Sequence, residues 1–159
     1  MSRSHVSAER TIPAPVEAVY AMLADYHEGH PSILPPAFSD FAVLEGGVGA
    51  GTRIRFTLTL AGRAQEAQGL VAEPEPGRVL TETYAGNGSV TTFTVDPTGV
   101  ATRLRIETSW ESRPGIAGIF ERLIVPNVLK RLYREELDLI EAWARRPRGE
   151  PPPVPAPSR

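Results

Sequence analysis

Glycine and proline recur in short clusters through the middle of the chain, and this punctuation constrains the fold more than any other feature. The clusters are EGGVGAG (45–51), AGR (61–63), EPEPG (73–77), AGNGS (85–89) and DPTG (96–99). Turn chemistry recurring at intervals of about ten residues leaves only strand-length segments between, which predicts an antiparallel meander. The intervening segments, 52–60, 63–72, 78–84, 89–95 and 100–110, are rich in Thr, Val and aromatic residues, as strands are. Residues 39–45 supply a strand before the first glycine cluster and residues 5–12 one at the start, making seven strands.

Two helical patterns bracket the meander. Val16, Val19, Tyr20 and Leu23 stand at i, i+3, i+4 and i+7 behind Pro15, which suits a first helical position. From 115 to 146 apolar residues keep helical spacing, with Arg131/Glu135 and Arg134/Asp138 as i, i+4 pairs on the opposite face. Pro126 falls inside this second pattern and predicts a kink or a break.

Side chains alternate along a strand, so turn positions set which residues share a face. In 52–60, Ile54, Phe56, Leu58 and Leu60 point one way and Arg53, Arg55, Thr57 and Thr59 the other. Two-residue turns at Ala61-Gly62, Glu75-Pro76, Asn87-Gly88 and within DPTG carry the apolar face onward. It passes to Ala67, Gly69 and Val71, then to Leu80, Glu82 and Tyr84, then to Thr91, Phe93 and Val95, and finally to Leu104, Ile106, Thr108 and Trp110. Ala67 and Gly69 leave a shortage of side-chain volume there, which a cavity or a helix could occupy.

Glu82 is the one carboxylate placed on this inward face. Either it pairs with an arginine such as Arg10, or reaches solvent at the sheet margin, or it orients a ligand or moves a proton. Phe56, Tyr84, Phe93, Trp110 and Phe120 are expected to line the space between sheet and helix, as core or as pocket wall, with Leu58, Ala67, Gly69, Thr91, Ile106 and Ile124 beside them. His27 and His30 join Glu82 as acid/base candidates at the exit of the first helix. Asp25, His27, Glu28 and His30 lack a third well-placed ligand, so no metal is expected. The run GGVGAGTR misses both phosphate-loop patterns and leads into a strand, and no GxSxG elbow is present. The segment 30–38, HPSILPPAF, reads as a lid or as a rigid connector.

Proline is 16 of 159 residues, roughly double the usual share of about 5%. Six of the 16 fall in the last 13 residues, which separates a domain at 1–146 from a proline-rich tail at 147–159 expected to be disordered. The formal charge of −2 gives no field for nucleic acid. Cysteine is absent, removing disulfides, thiolate nucleophiles and Cys-metal sites. No apolar run is long enough for membrane insertion, so a cytoplasmic location is expected.

The order of strand, helix, short helical turn, six-strand meander and long C-terminal helix resembles that of the SRPBCC superfamily, in its polyketide-cyclase-like branch. The likeness is carried by Ile12 to Tyr20 with Leu23 and Asp25, by Gly46 to Thr52, and by Glu73 to Leu80. It implies an α+β helix-grip fold of START type, a seven-stranded curved antiparallel sheet around a long C-terminal helix, with one or two short helices after the first strand. It further implies a mostly apolar cavity that takes a lipid, sterol or polyketide-like ligand, and no catalytic motif carries over. The expected function is therefore binding of a bulky hydrophobic small molecule without a cofactor. A cyclase or dehydratase using a cavity acid/base is the alternative, and a protein-interaction module the second.

Overall fold

Seven strands form one fully antiparallel sheet in the order β1-β7-β6-β5-β4-β3-β2. The computed structural model describes residues 3–147, apart from the side chains of 120–122; the proline-rich segment predicted at 147–159 lies beyond that range but for Pro147. The strands are β1 (Arg3–Ile12), β2 (Phe38–Glu45), β3 (Arg53–Leu60), β4 (Arg63–Glu75), β5 (Val79–Tyr84), β6 (Val90–Thr98) and β7 (Ala101–Glu111). Helices α1 (Val16–Ala24) and α2 (Gly29–Ser32) join β1 to β2, the two sheet edges, and α3 (Ile116–Arg145) closes the chain.

The strand faces follow the alternation expected of a sheet with one wet side. Ile54 and Phe56 on β3 are buried while Arg53 and Arg55 are exposed, and Leu104, Ile106 and Trp110 on β7 are buried while Arg103 and Arg105 are exposed. The Ala61-Gly62 turn has positive φ at both positions, +51° and +76°, the geometry whose twist matches the flanking strands.

The later turns differ from expectation in position but not in face. β4 meets β5 through Val71↔Glu82 rather than Gly69↔Glu82, because a bulge between Ala72 and Glu75 lengthens β4. The Asn87-Gly88 turn is a four-residue loop, closed by the Tyr84 N–H on the Ser89 carbonyl, and the last hairpin turns at Gly99-Val100 beyond DPT. Each slip is by an even number of residues, so every inward residue stays inward.

α3 runs unbroken through Pro126, so the predicted interruption does not separate it into two helices. Its C-terminal half lies on the sheet: Leu132, Tyr133, Leu137 and Ile140 are buried, and Arg10 of β1 pairs with Asp138 and, at 3.8 Å, with Glu141. The segment 30–38 packs onto the domain. Ile33 and Pro35 are buried, and Phe38 N–H bonds the Pro35 carbonyl at 3.0 Å.

Candidate functional site

The inner face carries a polar row among its apolar residues. Glu82 on β5 is paired with Thr91 on β6, and Thr91 with Thr108 on β7. The Thr91 and Thr108 hydroxyls are 2.7 Å apart, and Thr108 also shares a hydrogen bond with the Tyr133 hydroxyl from α3. One helical turn beyond Tyr133 stands Glu136, so α3 presents a phenol and a carboxyl to the interior.

Glu82 is 3% exposed and is held from three directions. Tyr26 donates to its Oε1 at 2.6 Å and Tyr84 donates to its Oε2. His30, 2% exposed, brings Nε2 to 3.4 Å from Oε1. The His30 Nδ1 lies 2.8 Å from the Leu23 carbonyl, which can only accept, so Nδ1 carries a proton. Tyr26 stacks on the His30 ring at 4.5 Å, and Phe93 meets its edge at 5.4 Å. The expected pairing of Glu82 with Arg10 does not occur, because Arg10 is occupied by Asp138 and Glu141 of α3.

The glycine cluster explains how Tyr26 and His30 reach this position. Tyr26 N–H bonds the Gly47 carbonyl at 2.8 Å, Gly49 N–H bonds the Ala24 carbonyl at 2.9 Å, and Asp25 bridges Val48. Gly47 stands at φ +145°, where a residue with a side chain is strained, and a Cβ there would also displace the His27 ring, whose Nε2 is 1.8 Å away. The Asp25 carboxylate accepts from the N–H groups of His27, Glu28 and Gly29 at 3.0–3.3 Å, starting the turn that carries His30 inward. The loop thus fastens the end of α1 rather than cradling a phosphate.

Burial, and then the nearby Glu82, pushes the Tyr26 and Tyr84 hydroxyls well up, so both remain neutral donors. Burial also raises Tyr133. Glu136 is 3% exposed and its carboxyl is held well above the usual carboxylate range, by desolvation first and by Glu82 second. Its Oε1 has no hydrogen-bond partner among the described residues.

Of the residues expected around a ligand, Phe56, Gly69, Glu82, Thr91, Phe93, Ile106 and Trp110 are buried on the inner face. Leu58, Ala67 and Tyr84 are half-buried there, and Ile124 is exposed. Phe120 lies outside the described side chains. His27 is exposed on the turn before α2, whereas His30 lies within α2 and is buried. The space inferred at Gly69 is occupied by the Tyr84 ring, whose Cε1 is 3.0 Å from where a Cβ would stand.

Tyr26, Thr108, Tyr133 and Glu136 belong to the cluster without having been singled out as site residues from the sequence. A signal existed for Glu136, which falls among Tyr133, Leu137 and Ile140 on the apolar stripe of α3. Tyr26 likewise continues the Val16, Val19, Leu23 stripe by one turn.

Comparison with known proteins gives concordant results. A family model described as polyketide cyclase/dehydrase and lipid transport matches residues 3–144. The KanY protein, solved in solution, superposes with a TM-score of 0.80 at 29% identity, covering 91% of this chain and 99% of that one. A protein from Thermus thermophilus superposes at 0.73 with 24% identity over 89% and 97% of the two chains. The Zhui aromatase/cyclase of a Streptomyces species does so at 0.72 with 21% identity over 90% and 94%, a likeness of fold. No curated protein matches. The architecture is the helix-grip fold of START-like proteins. No helix among the described residues is long and apolar enough to cross a membrane.

Proposed function

The chain belongs to the polyketide cyclase/dehydrase and lipid transport family, and from that premise we propose that it binds a bulky hydrophobic small molecule, of lipid, sterol or polyketide-like class, between the sheet and α3. The observation that carries this reading is Glu136: a carboxyl oxygen buried without a partner among the described residues, opposite a polar row in an apolar interior. A buried polar atom left unpaired costs about 1–3 kcal/mol, which a polar group on a bound ligand would remove. Phe56, Phe93, Ile106 and Trp110 supply apolar wall on the same face.

Incubation with hydrophobic extracts, followed by native mass spectrometry, tests the reading. A retained mass and a raised Tm with the recovered compound are expected, because binding to the folded state alone stabilises it by mass action. No retained mass and no thermal shift from any sterol, fatty acid or aromatic polyketide would refute it.

A cyclase or dehydratase is the second reading. It is favoured by the His30 Nε2 standing 3.4 Å from Glu82 Oε1, a pair able to hold and release a proton in a dry site. Turnover of a candidate substrate that survives both Glu82→Gln and His30→Ala would overturn it.

A further inference from the structure

The end of α3 opens onto a groove outside the sheet. About 770 Å³ of space lies between α1, the α2 turn and the last residues of α3, walled by Pro13, Ala14, Pro15, Ala18, Ala21 and Trp143 among others. None of the described residues lining it belongs to a strand, so its occupancy is separate from what the sheet–α3 interior holds. The groove has a local cause. Val19, Tyr20 and Leu23 bury the large side chains of α1, while positions 18 and 21 carry only alanine, which leaves room beside the Trp143 ring.

The chain itself leaves α3 along this groove. Arg146 and Pro147 both line it, and Arg146 stands at φ −68° and ψ 138°, in the polyproline II region. A residue before proline is kept out of the helical region, so α3 stops here and the backbone starts extended. The 12 residues that follow, 148–159, hold five prolines. At ~3.1 Å per residue in that conformation they reach about 37 Å, against about 14 Å for the whole of α1.

Groove and segment also match in chemistry. A polyproline II strand has no internal hydrogen bonds and presents rings and free carbonyls, which suit an aromatic plane flanked by small apolar residues. Trp143 offers that plane and one N–H donor. The lining carries Asp25 and Glu28 against Arg146, and the segment carries Arg148 and Arg159 against Glu150, so the two have side-chain charge of opposite sign.

We propose that residues 148–159 dock as an extended polyproline II strand in the groove between α1 and the end of α3, with proline rings on Trp143, so that this face is an intramolecular site for the chain's own proline-rich segment. Tethering supplies the affinity. A short linker holds the segment at an effective concentration in the millimolar range, at which a Kd of about 1 mM fills the groove by half. The docked strand braces α1, whose exit carries Tyr26 and His30 to Glu82.

The chain has no cysteine, so Ala156→Cys places a single nitroxide on the full chain, read by amide NMR. Signals of Ala18, Ala21 and Met22 should lose at least about half of their intensity relative to the reduced label. Ile116 and Ile119, about 40 Å back along α3, should keep theirs. Pro151→Gly, Pro152→Gly and Pro153→Gly together remove the preorganisation without altering residues 3–147, and should weaken docking by about tenfold or more and restore the signals. Ala21→Arg, at an exposed helical position, should do the same by filling the groove. No loss on α1, or a loss that either variant leaves unchanged, overturns the proposal. An equal loss on an isotope-labelled chain without nitroxide, mixed with the spin-labelled chain, also overturns it, because the occupant is then a second copy. Should Ala21→Arg not fold, the triple glycine variant decides.

Discussion

The two halves of α3 have the same kind of sequence pattern and opposite surroundings. Beyond Pro126, Leu137 and Ile140 are 1% and 0% exposed, Tyr133 and Glu136 reach the polar row, and Arg10 ties Asp138 to β1. Before it, Ile116, Ile119, Leu123 and Ile124 lie exposed, Leu123 at 67%. The local signals run the same way. The N-terminal half starts at Gly115 with no side-chain cap and no acidic residue in its first turn, and its Gly118 lets the Arg113 carbonyl approach to 1.7 Å from where a Cβ would be. Pro126 removes one backbone donor at the junction. Amphipathic spacing thus says that a helix has an apolar stripe, not that anything covers it.

The sharpest way to break this comparison is to truncate one leucine in each half. Leu137→Ala should cost about 2–5 kcal/mol, the lost transfer energy plus a cavity, read from denaturant midpoints. A cost below about 1 kcal/mol would mean that the C-terminal half does not form the core described.

Tyr26→Phe should cost less, about 1–3 kcal/mol, since it removes one donor from the buried Glu82 and leaves the ring stacked on His30. Stability equal to wild type would show that water replaces the hydroxyl and that the cluster is not dry.

Glu136→Gln probes the covered half through pH. The folded carboxyl holds its proton above the ordinary unfolded value of about 4.3. The native state therefore binds more protons than the unfolded one, and stability is lost as pH rises from that value through the raised folded one. Glutamine has no proton to lose, so the variant should gain on wild type in Tm between about pH 5 and 8. Parallel Tm profiles would place an ionised, hydrated carboxylate at this position.

The smallest effect is expected in the open half: Leu123→Ser should change stability by no more than about 0.5 kcal/mol. Amide exchange at 123–125 should also be faster than at 132–140, and the gap should narrow when a ligand is bound. A large loss of stability at Leu123 would reveal a covering that the comparison lacks.

Much of the sheet was legible in the sequence because its signal is local. Ile54, Phe56, Leu104 and Ile106 against Arg53, Arg55, Arg103 and Arg105 give the buried face directly, and register slips by even numbers of residues at three turns left every assignment of face intact. Glu82 was legible for the same reason, as an acid standing at an inward parity. Its neighbours were not. Tyr26 reaches Glu82 across 56 residues of chain, and only through a glycine loop that the sequence presents as ordinary turn punctuation. The role expected of Arg10 failed because α3 supplies closer acids.

By itself the sequence determined directions: a period of two in the meander, a period of 3.6 in both helical patterns, and so which side chains face inward. Directions follow from backbone geometry, which is the same wherever a segment finally lies. Partners were decided only by the tertiary structure. Whether Glu82 met arginine, water or a tyrosine–histidine cage, whether Glu136 was solvated or buried, and which half of α3 was covered all depend on how distant segments close over one another. That closure is set by the whole core at once, and no single segment specifies it.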